Sequence, residues 1–212
     1  MTIIVHHLEN SRSQRILWLL EELGMAYAVK RYARNPKTMM APPELKGVHP
    51  LGKSPVIEDA IEHGGIVVAE TGAIVEYLVE KAGGQLGAPA DAEIARRYRH
   101  FLHYAEGSMM PPLLALLVVG KLGPLGWPAR KPVQGMMDTH LDWLESELAT
   151  RPHFAGQDFT AADIMMSFPL EASRARAGLD ASRPHLTDWL ARMHARPSYQ
   201  AALKEGGPYA FA

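Results

Sequence analysis

The sequence predicts a two-part fold: an α/β unit over residues 1–84 and an all-helical unit over residues 85–212. Three observations carry that division. Short β-branched runs alternate with helical periodicity only before residue 84. A stretch with Gly87 and Pro89, Gln85 to Asp91, then reads as a linker. Beyond it the patterned segments all have helical spacing.

The first unit opens with a β-branched run, Thr2 to His6, that favours a strand. Asn10 and Ser11 are good cap types, and Ile16, Leu19, Leu20 and Leu23 recur at helical spacing until Gly24 stops the helix. Alternation over Tyr27 to Tyr32 predicts a second strand. Asn35 to Pro50 reads as loop, with a short helix near Pro43 to Lys46. Pro55 to Ile57 and Ile66 to Ala69 are short apolar runs separated by His63, Gly64 and Gly65, which predicts a hairpin. Thr71 opens a helix through Ile74, Tyr77 and Leu78, closed by Gly83 and Gly84.

In the second unit a long helix runs from Ala92 to about Val119, and Pro111-Pro112 should kink or break it. Gly120 to Pro132 reads as a connection. Val133 to Ala149 carries a stripe of Met137, Leu141, Leu144 and Leu148. Thr160 and Asp163 have the spacing of a capping box. Pro184 to Ala195 and Ser198 to Lys204 complete the helices.

Composition narrows the chemistry. The chain has 212 residues, 47% hydrophobic and 21% charged, as an ordinary globular protein does. Its formal charge of -1 predicts no nucleic-acid partner and no pull toward a membrane. It has no cysteine, so any thiol must come from a ligand. The apolar run Leu113 to Val119 is shorter than the about 20 residues a membrane helix needs, and the N-terminus has no basic n-region, so a cytoplasmic location is expected.

Four segments carry a family resemblance: Leu8 to Gly24 (LENSRSQRILWLLEELG), His49 to Asp59 (HPLGKSPVIED), Ala69 to Ile74 (AETGAI) and Phe159 to Ile164 (FTAADI). In order and spacing they resemble the cytosolic glutathione transferases of bacteria and fungi, the theta-like, serine-type members above all. The resemblance covers essentially the whole chain. It implies the glutathione transferase fold: a thioredoxin-like α/β first domain that binds glutathione, and an all-α second domain with a co-substrate pocket. It also implies a homodimer and the conjugation of glutathione to a small hydrophobic electrophile, with glutathione as co-substrate and no metal.

That chemistry needs a thiolate. A free thiol has a pKa near 8.5, and lowering it by about 2 units takes roughly 2.7 kcal/mol of preferential stabilisation. A hydroxyl donor supplies about 1.5–3 kcal/mol, and a helix N-terminus about 0.3–1 kcal/mol more. Ser11 lies between the first strand and first helix, where both act, and it matches the activating serine of theta-like members. Asn10, whose amide also donates, is the rival, and Ser13 is a third candidate. A plain helix cap would explain Ser11 equally well from the sequence alone.

The resemblance assigns the rest of glutathione to Lys53, Ser54, Val56, Glu70 and Thr71. Pro55 matches the family's cis-proline, beside which the Val56 backbone pairs with the peptide. Glu70 and Thr71 match the turn that takes the γ-glutamyl end, with threonine where serine is usual, and Lys53 is placed for the glycyl carboxylate. His49 stands where asparagine is usual.

Other features have plainer explanations. His100, His103 and Glu106 share a helical face, a coincidence that helices produce often. Met109, Met110 and Leu113 to Val119 suit an apolar pocket or simple core, and Tyr104 suits the thiol or packing. Two further functions use the same residues: glutathione-dependent reduction of peroxides or disulfides, and a non-catalytic binding module on this fold.

Overall fold

The computed structural model describes residues 2–60 and 65–211. His63 and Gly64, expected within the hairpin, lie outside the described residues. The chain divides into two compact units, one of residues up to 87 together with 195–210, the other of residues 88–194 with Phe211.

The first unit holds a four-stranded sheet of order β2-β1-β3-β4, from β1 (Ile3–Leu8), β2 (Tyr27–Tyr32), β3 (Val56–Asp59) and β4 (Ile66–Ala69). β1 and β2 are parallel, whereas β3 is antiparallel to both β1 and β4. The central strands are apolar where they face the helices, with Val5 and Ile57 fully buried. Helices α1 (Gln14–Leu23) and α2 (Thr71–Lys81) pack against each other and the sheet through Ile16, Leu20, Ile74 and Leu78. The buried Asp59 accepts from Tyr77 Oη (2.7 Å) and pairs with Lys81 Nζ (3.0 Å), joining β3 to α2.

Helix α1 is buried on nearly all sides, Gln14 to Leu20 without a break. The second side is covered by a helix from the far end of the chain (Pro197–Gly206), numbered α8 below. Trp18 meets Tyr199 edge-on at 5.1 Å. Glu22 gathers Trp18 Nε1 (2.9 Å), Arg196 Nε (2.6 Å), Arg196 Nη2 (2.9 Å) and the Ser198 hydroxyl. A bidentate guanidinium–carboxylate pair fixes orientation as well as charge.

The second unit consists of α3 (Ala92–Tyr104), α4 (Met110–Lys121), α5 (Trp127–Leu148), α6 (Ala161–Arg176) and α7 (Pro184–His194). One expectation holds in milder form and one needs correction. The helical run is interrupted, not broken, at Pro111-Pro112. The prolines cannot donate to carbonyls four residues back, and a π turn over Ala105–Met109 absorbs the mismatch just before them. Nor is Gly120 to Pro132 a connection throughout, since a 3-10 turn (Gly123–Gly126) leads directly into α5 at Trp127. Pro128 sits in the first turn, where the N–H it lacks would have no partner anyway.

The expected stripe of Met137, Leu141, Leu144 and Leu148 is buried. Asp163 accepts from Thr160 N–H at 2.9 Å and from Phe154 N–H at 3.0 Å, so the capping box also holds the preceding loop. By length and composition Ala92–Lys121 could cross a membrane, yet Phe101, Leu102, Leu113 and Leu116 on it are buried inside the protein.

The Glu22 carboxyl sits below its ordinary value near 4.5: burial pushes it up, and the bonds from Arg196, Ser198 and Trp18 outweigh that. A depressed carboxylate stabilises the fold above its ordinary value and loses that contribution as pH falls below it. Glu22→Gln should therefore cost about 1–3 kcal/mol at neutral pH. Its stability should also decline less than wild type in urea melts taken below pH 4.5; parallel declines would show that the pair contributes nothing.

Candidate functional site

Strand register places three loops at one end of the sheet. His6 lies opposite Val56, and Val56 lies opposite Ala69. The C-terminal end of β1, the N-terminal end of β3 and the C-terminal end of β4 are therefore neighbours. The segments that leave them carry Asn10 and Ser11, Lys53 and Ser54, and Glu70 and Thr71.

The first loop is held by hydroxyl groups. Ser11 Oγ lies 2.8 Å from Ser13 Oγ and accepts from Ser13 N–H at 3.2 Å. Ser13 Oγ lies 2.9 Å from His7 Nδ1 and accepts from Leu8 N–H at 3.2 Å. All three side chains are buried. Burial drives the His7 pKa down to about 4, helped by the charge of Arg31 and opposed by a backbone hydrogen bond with Gly206. The ring is then neutral at pH 7. Ser13 Oγ also lies 3.3 Å from Leu8 O.

Ser54 belongs to the same junction. Its hydroxyl donates to His6 O at 2.8 Å and accepts from Leu8 N–H at 3.2 Å, pinning the cis Ser54-Pro55 step to the end of β1. Asn10 has a φ of 50°, and its Oδ1 accepts from Ala210 N–H at 2.7 Å, which leaves the amide NH2 to donate elsewhere. Arg34 braces the loop from below, donating to Glu9 O (3.0 Å) and Asn10 O (3.2 Å).

On the third loop Glu70 adopts a φ of 72°, uncommon for a residue with a Cβ. It precedes α2 yet gives no side-chain cap, and its exposed carboxylate makes no hydrogen bond among the described residues. Thr71 follows, buried at the first position of α2, where backbone N–H groups and the helix dipole favour an anion. Lys53 is exposed, also with no partner among the described residues. A carboxylate, a hydroxyl at a helix start, an ammonium and a second hydroxyl at another helix start thus surround one end of the sheet. That is a donor and acceptor set for a zwitterionic peptide.

Residues 11–81 match the glutathione S-transferase N-terminal domain, and residues 92–192 match the C-terminal domain. The chain belongs to the glutathione S-transferase family. Glutathione S-transferase 3 of Schizosaccharomyces pombe is 33% identical to it, over 96% of this chain and 87% of the yeast protein. Glutathione S-transferase 1 of Saccharomyces cerevisiae is also 33% identical, over 96% of this chain and 94% of its own length. A glutathione S-transferase from Actinobacillus pleuropneumoniae superposes with a TM-score of 0.86 at 32% identity, covering 99% of this chain and 95% of that one. A family member from Pseudomonas fluorescens Pf-5, solved with two glutathione bound, has a TM-score of 0.81 at 24% identity, covering 95% and 92% of the two chains.

In this family member the segments carrying Asn10, Ser11, Lys53, Ser54, Val56, Glu70 and Thr71 share one end of the sheet. The residues singled out in the second unit lie partly in its core. Tyr104 Oη bonds His140 Nδ1 at 2.5 Å, and burial raises the pKa of the phenol. Met109, Met110, Leu113 and Leu116 are buried, while Leu114 and Val118 are exposed. No three His, Cys, Asp or Glu side chains gather to hold a metal among the described residues. Two residues absent from the sequence reading prove important. For His7 the signal was available, because a polar residue at the end of an apolar strand must find a buried partner. Arg34 bonds backbone carbonyls, which leave no trace in residue identity.

A buried neutral histidine makes folding pH-dependent. Between the ordinary value of 6.5 and about 4, the unfolded chain takes up a proton that folded His7 refuses. Stability should thus fall as pH falls through this window. His6 and His140, whose pKa values burial also lowers, add to the same slope. His7→Gln should reduce the loss measured in urea melts between pH 6.5 and 4.5; an unchanged slope would place the titration elsewhere.

Proposed function

We propose that the protein conjugates glutathione to a hydrophobic electrophile, with Ser11 stabilising the thiolate. The observation that carries this reading is the meeting of three loops at one end of the sheet, on which Ser11, Lys53, Glu70 and Thr71 lie together. The relatives named above, among them one solved with glutathione, support the ligand.

In this reading the Glu70 carboxylate takes the ligand's ammonium, and Thr71 with the start of α2 takes the γ-glutamyl carboxylate. Lys53 meets the glycyl carboxylate, and the Val56 backbone pairs with the peptide. Ser54, already committed to His6 O and Leu8 N–H, holds Val56 in position.

Ser11 is not the cap of α1, whose N-cap is Ser13; its oxygen holds the turn that leads into the helix. Its oxygen keeps the Ser13 N–H bond while its proton turns from Ser13 Oγ to the ligand sulfur. The cost of turning is one neutral hydrogen bond, about 1 kcal/mol, against the about 1.5–3 kcal/mol of a bond to a charged group. The thiolate then attacks the electrophilic carbon, an S–C bond forms, and the leaving group departs with its electron pair. The Asn10 amide donors lie on the same loop and are the alternative source of the bond.

Ser11→Ala should raise the pKa of bound glutathione by about 1–2 units with a much smaller loss of affinity. Thiolate absorbance followed against pH reads this directly, with Asn10→Ala as the comparison. A shift in the Asn10 variant alone would move the role by one residue.

Glu70→Ala should weaken glutathione binding about tenfold, or ~1.4 kcal/mol. It should change the stability of the ligand-free protein much less, because the Glu70 side chain is exposed and gives no cap bond to α2. Calorimetry with unchanged affinity would leave Glu70 without a ligand role.

A further inference from the structure

From residue 107 to residue 137 the sequence has no acidic side chain and three basic ones, Lys121, Arg130 and Lys131. They cluster in the chain around the corner where α4 ends and α5 begins. All three are exposed, and none has an ion pair or hydrogen-bond partner among the described residues.

The same corner displays apolar side chains. Leu125 is 86% exposed, Trp127 70% and Leu122 52%. Single exposed leucines need no explanation, but a run of large apolar residues does. Upstream on α4, Leu114 and Val118 continue the exposed stripe at four-residue spacing. Nothing in the corner's backbone suggests a segment waiting to fold over them. Gly126 packs so closely that a Cβ there would lie 2.1 Å from Val119 O, and Pro124 and Pro128 limit the flanking torsions. The turn is thus pressed onto the last turn of α4.

We propose that this corner docks the protein on an anionic lipid surface. A tryptophan ring, apolar side chains and flanking cations are the combination that settles at the headgroup boundary. Leucines that project this far have no need of a shaped receptor in a bilayer, whereas a protein partner would have to supply pockets. A second copy meeting corner to corner would bring six like charges together. Three cations are also few for a nucleic acid, whose binding rests on many phosphate contacts. The charge of -1 over the whole chain gives no long-range attraction, so docking depends on this local surplus.

The test is sedimentation of the full-length protein with vesicles of phosphatidylcholine alone or rich in phosphatidylserine. We expect association with the anionic vesicles only, weakened by salt. Each cation near the surface is worth about fivefold, so K121Q/R130Q/K131Q together should weaken association about a hundredfold. L125S/W127S should weaken it at least tenfold. Both variants alter exposed side chains, so thermal midpoint and solution mass should match wild type. The proposal is overturned if wild type ignores the anionic vesicles at low salt, or if both variants bind as wild type does. It is overturned equally if L125S/W127S has a lower solution mass, because a second copy would then cover the corner.

Discussion

The junction between β1 and α1 depends on a buried hydroxyl that must serve four neighbours. Ser13 Oγ lies within hydrogen-bonding distance of His7 Nδ1, Ser11 Oγ, Leu8 N and Leu8 O. It has one proton and two lone pairs, so no arrangement satisfies all four equally. Whichever neighbour takes that proton fixes whether Ser13 donates to Ser11 or accepts from it. Where the helix starts, which way the serine hydroxyl turns and how the end of β1 is finished are one problem with one solution. Ser54 completes it by sharing the Leu8 N–H from the other side.

Sheet topology turns this local arrangement into a site. Because β3 runs antiparallel to both neighbours, its first residue lies beside the last residues of β1 and β4. Three loops remote in sequence converge without any long excursion of the chain. The strained backbone at Glu70 belongs to the same picture. Positive φ at a residue other than glycine persists where surrounding structure dictates it, and such residues concentrate at ligand sites.

Much of this was legible in the sequence because it is local. Strand alternation, the stripe on α5 and the Thr160–Asp163 box depend on residues within a few positions of one another. The loop segments were legible for a different reason, since their order and spacing resemble those of a known family. What was not legible depends on distance or on the backbone. Nothing near Glu22 in the sequence names its partner, because Arg196 lies 174 positions away. The start of α5 was lost within the stretch read as a connection, because whether Pro128 falls in a first helical turn is set by the preceding 3-10 turn. Whole-chain charge, by averaging, hid the local surplus of cations between α4 and α5.

The first unit is closed by residues far apart in the sequence. Helix α8 covers α1 and supplies Arg196 and Tyr199 to it, and residues 195–210 count with the N-terminal unit. During synthesis the first 87 residues emerge long before that helix does. The nascent unit therefore waits with Trp18 uncovered and Glu22 unpaired while more than a hundred further residues are added. Domains made of a continuous stretch can fold as they leave the ribosome. This one acquires its last structural layer only once residues 195–210 have been made, so a chain cut before residue 195 would carry every site loop with its central helix exposed.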